Sequence, residues 1–131
     1  MADKINVFKE IAPTLFNTLI VDYDYKLEQI KINKIDDKDW SIHLIYLNLE
    51  NQLKIIIKQE PYYTDYGFSF VIYKLGTEQY NILYNVEHTK QDAENQYLHK
   101  AVKELFTTKE TLDIIAGKGW KELKRIPFHI V

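Results

Sequence analysis

The chain contains no cysteine in 131 residues, which removes structural disulfides and thiolate metal sites and favours a cytosolic setting. It has only four glycines and three prolines. The glycines, Gly67, Gly76, Gly117 and Gly119, are scattered, so neither a phosphate-binding loop nor a dinucleotide fingerprint can be assembled. Only two serines occur, Ser41 and Ser69, both within strand-like segments and without a nucleophile elbow. No apolar run approaches the roughly 18 residues that span a bilayer. The first ten residues, MADKINVFKE, lack the apolar stretch of a secretory signal. A basic excess is missing too: 17 basic and 19 acidic residues leave a net charge of −2, unlike a chain built to hold nucleic acid. These absences predict a cytoplasmic domain spanning 1–131, with no nucleic-acid or membrane partner and no cofactor.

The hydrophobic pattern is that of an α+β fold. The stretch WSIHLIYLNLENQLKIIIK, residues 40–58, alternates at period two on either side of the polar turn Glu50-Asn51-Gln52. β-branched and aromatic residues in this arrangement predict a central hairpin. Its first strand is apolar on both parities, which predicts a strand covered on both sides. Upstream, Ile5, Phe8, Ala12, Leu15, Phe16 and Leu19 form a helical stripe over 3–19, with Pro13 predicting a kink or a two-part helix. Val21 to Ile35 reads as a strand whose apolar phase switches between Leu27 and Ile30, the signature of a β-bulge.

Downstream, QEPYYTDYG (59–67) reads as a loop, and Phe68–Leu75 and Gln79–Glu87 as two further strands joined through Gly76-Thr77-Glu78. Five strands with short connections imply an antiparallel meander. The period then lengthens. A helix capped by Thr89 runs to about Phe106, and a capping box over Thr107–Glu110 introduces a second helix that Gly117 ends. The chain closes with Trp120 and the extended segment RIPFHIV.

Chemistry-bearing residues are sparse. The histidines His43, His88, His99 and His129 show no metal-ligand spacing, and His43, alternating with apolar neighbours, reads as a satisfied, partly buried imidazole. Asp22 and Asp24 share a face of an extended chain and are the least dismissible acid–base pair, although a strand edge with two solvated aspartates explains them better. Nothing in the pattern requires an enzyme. The compositional signal is tyrosine, at ten residues, with Tyr62, Tyr63 and Tyr66 gathered around Asp65. Tyrosine suits binding surfaces because its ring is apolar and its hydroxyl tolerates water. AT-rich coding, which inflates Lys, Ile, Asn and Tyr together, would give the same enrichment.

Three segments, KINVFKEIAPTLFNTLI, VDYDYKLEQIKI and GWKELKRIPFHIV, taken in order with the meander and helix between them, resemble small bacterial immunity proteins. The nearest are the YezG-like immunity proteins of polymorphic toxin systems. The resemblance lies in element order across most of the chain and carries over no functional residue. It implies a cytosolic antidote that binds one toxin domain tightly and blocks it; apart from the resemblance, the partner expected is a cognate toxin or other basic protein, and the chain itself a monomer or homodimer. Against a basic partner the contacts would be acidic and aromatic: Asp22, Asp24, Asp36, Asp37, Asp39, Tyr62, Tyr63, Asp65 and Tyr66. Two other classes fit the same composition. One is a dimeric secretion-chaperone-like adaptor. The other is a ligand-binding domain or enzyme whose pocket is lined by Trp40, Tyr46, Phe70 and Tyr84.

Overall fold

The computed structural model describes residues 4–60, 66–87, 90–91 and 95–118, with the side chains of Lys4 and Tyr66 left out. Five strands, β1 (Lys26–Ile35), β2 (Lys38–Asn48), β3 (Leu53–Gln59), β4 (Tyr66–Lys74) and β5 (Tyr80–Glu87), form one antiparallel sheet in the order 1-2-3-4-5. Helices α1 (Lys4–Leu15) and α2 (Thr18–Val21) precede it, and α3 (Gln96–Leu105) and α4 (Lys109–Ile115) follow. The expected α+β meander with N- and C-terminal helices is what the chain adopts.

All four helices bury side chains against the same face of the sheet. Ile5, Phe8 and Ala12 of α1, Leu19 of α2, Tyr97, Leu98, Ala101 and Leu105 of α3 and Ile115 of α4 join one core with Ile42, Leu44, Tyr46, Ile55, Ile57, Phe68, Phe70 and Ile72. Aromatic rings fill the layer. Phe68 lies 6.1 Å from Phe8, 6.3 Å from Phe16 and 5.9 Å from Tyr97, centroid to centroid, and Phe16 lies 5.8 Å from Phe70. Edge-on and tilted contacts of this kind add to the area that each ring removes from water.

The helix is in two parts, but Pro13 does not open the second: it falls inside α1, which runs two residues beyond it, and α2 begins only at Thr18. The first strand is shorter than the pattern suggested. Val21 ends α2 and Asp24 takes a left-handed φ of 61°, so pairing begins only at Lys26. The predicted bulge is there. Leu27 pairs with Tyr46 and Gln29 with Ile45, leaving Glu28 as the extra residue that keeps Leu27, Ile30 and Ile32 on the inner face. Trp40 is the extra residue of a second bulge, in β2.

The C-terminal helices are joined differently from expectation. No capping box forms at α4. Thr107 and Thr108 donate their hydroxyls back to the carbonyls of Lys103 and Glu104 at 2.6 and 2.7 Å, closing α3 instead of opening α4. Gly117, at φ 90°, does end α4: its N–H donates to Ile114 O and that of Lys118 to Asp113 O, the paired bonds of a Schellman cap. The cap expected at Thr89 and the closing segment 119–131 lie outside the described residues. Among the described residues, no helix is long and apolar enough to cross a membrane.

Candidate functional site

The strand registers decide what the two faces of the sheet present. Residues paired across an antiparallel ladder point to the same side, and pleating sends their neighbours to the other. The inner rows are those of the core. On the outer face three rows run from β1 to β5, and beyond them Asn33 pairs with the fully buried Ser41. The middle row is Gln29, Ile45, Ile56, Val71 and Ile82; on one side of it lie Lys26, Leu47, Lys54, Tyr73 and Tyr80, and on the other Lys31, His43, Lys58, Ser69 and Asn85. Ile45, Leu47, Ile56, Val71 and Ile82 stand outside the core that the helices cover.

Coverage of β2 by helices on both sides is not what the described residues show: their helices take one face only. Within this row Ile45, Ile56 and Ile82 are half-buried, Val71 is buried at 4% exposure and Gln29 is exposed. Four aliphatic side chains thus line up across β2 to β5. At about 4.8 Å per strand the row is roughly 14 Å long. Charged and aromatic groups flank it. The Lys54 ammonium sits 5.1 Å from the Tyr73 ring centroid, and Tyr73 stacks at 5.8 Å on Tyr80.

His43 occupies the other flanking row. Its Nε2 lies 3.2 Å from Glu60 Oε2, so the sequence reading of a satisfied, partly buried imidazole holds. That hydrogen bond lowers the Glu60 carboxyl below its ordinary value, helped by the charges of His43 and Lys58 and opposed by partial burial.

The carboxylates expected to form one surface do not share one. Asp22 and Asp24 precede β1, whereas Asp36 and Asp37 form the turn after it. The ten residues of β1 place these pairs about 30 Å apart. Asp36 and Asp37 both take positive φ, 51° and 65°, as a two-residue turn between twisted strands requires. Asp39 is held by Lys34 at 2.7 Å. Tyr66 opens β4 at the sheet end that carries this turn, while Tyr62, Tyr63 and Asp65 lie outside the described residues.

The residues expected to line a pocket are parts of the structure's interior or its margin. Tyr46 and Phe70 are fully buried in the core, Tyr84 packs beside it at 6.4 Å from Phe68, and Trp40 is at the β2 bulge. Polar groups are buried with them. Gln59 donates from Nε2 to the Tyr97 hydroxyl at 2.6 Å, and the Tyr25 hydroxyl donates to Ile115 O at 2.7 Å. The Tyr46 hydroxyl has no partner among the described residues, and burial pushes its ionisation up to about 12. No group of three or more potential metal ligands occurs among the described residues.

The outer row was legible only in part. The sequence shows apolar residues on both parities of β2, but not which parity the helices leave. Set against protein families, curated proteins and solved structures, the chain matches none.

Proposed function

We propose that this protein is a non-enzymatic inhibitor of the immunity type, which binds a cognate toxin domain in the cytoplasm and blocks it by covering it. One observation carries the reading: the aliphatic row Ile45–Ile56–Val71–Ile82 crosses the sheet on the side away from all four helices. A contiguous apolar strip with a polar rim is the usual anatomy of a protein-binding surface. The rigid five-stranded platform beneath it holds that strip without needing catalytic groups. The ligand-pocket alternative has less support, because rings already fill the layer between sheet and helices.

The test is a paired capture. Wild-type protein and an Ile56→Asp variant, both confirmed folded by circular dichroism, are immobilised and exposed to lysate of the native host. The proposal expects one protein retained in stoichiometric amount by the wild type and lost from the variant. Producing that protein alone should arrest growth, and co-producing the wild-type chain should restore it. Equal retention by both baits, or a captured protein whose activity is untouched, would remove the reading.

A further inference from the structure

We infer that the occupant of the outer face is an acidic amphipathic helix of the partner, laid across the strands along the aliphatic row. This rests on the docking reading above and adds the chemistry of what docks. It also reverses the sign of the partner expected from the aspartates.

Charge is the first argument. The three outer rows hold Lys26, Lys31, Lys54 and Lys58 and no carboxylate. Glu28 sits at the β1 bulge, Glu60 lies just beyond the third row where His43 engages it, and Glu87 pairs with Tyr66 beyond that row, so among the described residues the carboxylates of this face lie at its margins. The whole chain is net negative at −2. A lysine-flanked face on an acidic protein is a local feature, and complementarity asks for carboxylates opposite it. The same sign disfavours two other occupants. A second copy meeting face to face would set lysine against lysine. The chain's own segment 119–131 carries Lys121, Lys124 and Arg125 against Glu122 alone.

Geometry is the second argument. The aliphatic row is about 14 Å long, the length of roughly nine helical residues at 1.5 Å each. The flanking rows lie two residues along the strands on either side, about 13 Å from each other. A helix is about 10 Å across with its side chains. Its apolar stripe at i, i+3, i+4 and i+7 would rest on Ile45, Ile56, Val71 and Ile82. Carboxylates on both shoulders of that stripe would then reach the lysine rows. An aliphatic row offers no stacking platform for bases, so a protein segment fits better than a nucleic acid.

The test selects a phage-displayed library of random peptides on the full-length protein. Enriched peptides are synthesised with a fluorophore, and their affinities are measured by anisotropy for wild type, Ile56→Asp and the double variant Lys54→Glu/Lys58→Glu. We expect peptides with apolar residues at helical spacing flanked by Asp and Glu, helical when bound. Binding should be lost in Ile56→Asp and weakened about tenfold or more in the double variant, with a steep salt dependence. The double variant changes only lysines on the outer face, so it reports even if Ile56→Asp fails to fold. Basic or neutral peptides that still need Ile56 would overturn the acidic assignment and leave the docking reading standing. Peptides indifferent to both variants, or no enrichment at all, would overturn both. Self-association lost in Ile56→Asp would assign the face to a second copy and overturn the inference. Tighter binding of an oligothymidylate than of any peptide, abolished in the double variant, would do the same in favour of nucleic acid.

Discussion

Three consecutive isoleucines, Ile55, Ile56 and Ile57, meet two different environments. Ile55 and Ile57 are fully buried in the core, whereas Ile56 points the other way and lies outside it. One strand therefore serves two surfaces with the same residue type. The inner face is closed by rings and helices, and its side chains are fixed by packing. On the outer face the isoleucine pairs with its cross-strand neighbours Ile45 and Val71, and among the described residues no helix covers it. The comparison teaches that hydrophobicity alone does not mark the core of this protein. An apolar residue kept outside the core calls for a separate explanation, and docking supplies one.

The largest effect that sharpens this contrast belongs to Phe68, which meets Phe8, Phe16, Tyr84 and Tyr97. Phe68→Ala should cost about 3–5 kcal/mol in urea unfolding, through lost burial and the cavity left behind. Next come two identical substitutions inside the core. Tyr97→Phe strands the buried Gln59 amide and should cost about 1–3 kcal/mol. Tyr46→Phe removes a hydroxyl that has no partner among the described residues and should be neutral or stabilising. If both lost the same stability, the buried hydrogen bond would be contributing nothing.

Tyr46 also predicts behaviour in base. Its ordinary value is 10.0 and its folded value is raised to about 12. Its contribution is therefore fully present below pH 10 and lost as pH rises toward 12. Absorbance titration should show Tyr46 ionising with unfolding and not before.

Smaller effects are expected on the outer face. Tyr73→Ala removes the ring beneath Lys54 and beside Tyr80, and should cost about 1 kcal/mol. The smallest concerns Glu60. Its carboxyl is lowered from 4.5 by the His43 hydrogen bond, so its contribution is present above pH 4.5 and lost as pH falls through the folded value. His43→Gln should flatten that acid limb by less than about 1 kcal/mol, since the pair is partly exposed. An acid limb unchanged by the substitution would show that the pair does not stabilise the fold.

How far the sequence disclosed this arrangement differs between elements. The hairpin of β2 and β3, the bulge at Glu28 and the glycine stop at Gly117 all follow from local chemistry. Period, phase and a permitted φ act within a few residues, so they can be read in order. The start of β1 could not be read that way. Val21 and Tyr23 suit a strand by propensity, yet α2 claims Val21, and the Tyr25 N–H is taken by Leu19 O. The threonines before α4 mislead for a similar reason. Either hydroxyl could cap the next helix, and both bond back to the previous one.

The candidate site was the least legible part. Asp22 and Asp36 look alike in sequence, and only the length of β1 separates them. Which face of β2 the helices cover depends on where α1 and α3 pack, a long-range outcome that alternation along a strand does not encode.

The most direct measurement sets Ile56→Ala beside Ile57→Ala in equilibrium urea unfolding. The account predicts a loss of about 2–5 kcal/mol for Ile57→Ala, as for an isoleucine inside a packed core, and less than about 1.5 kcal/mol for Ile56→Ala, where only cross-strand contacts are lost. Equal losses at the two positions would mean that the folded chain itself buries the outer row, and the face could not be the surface that meets a partner.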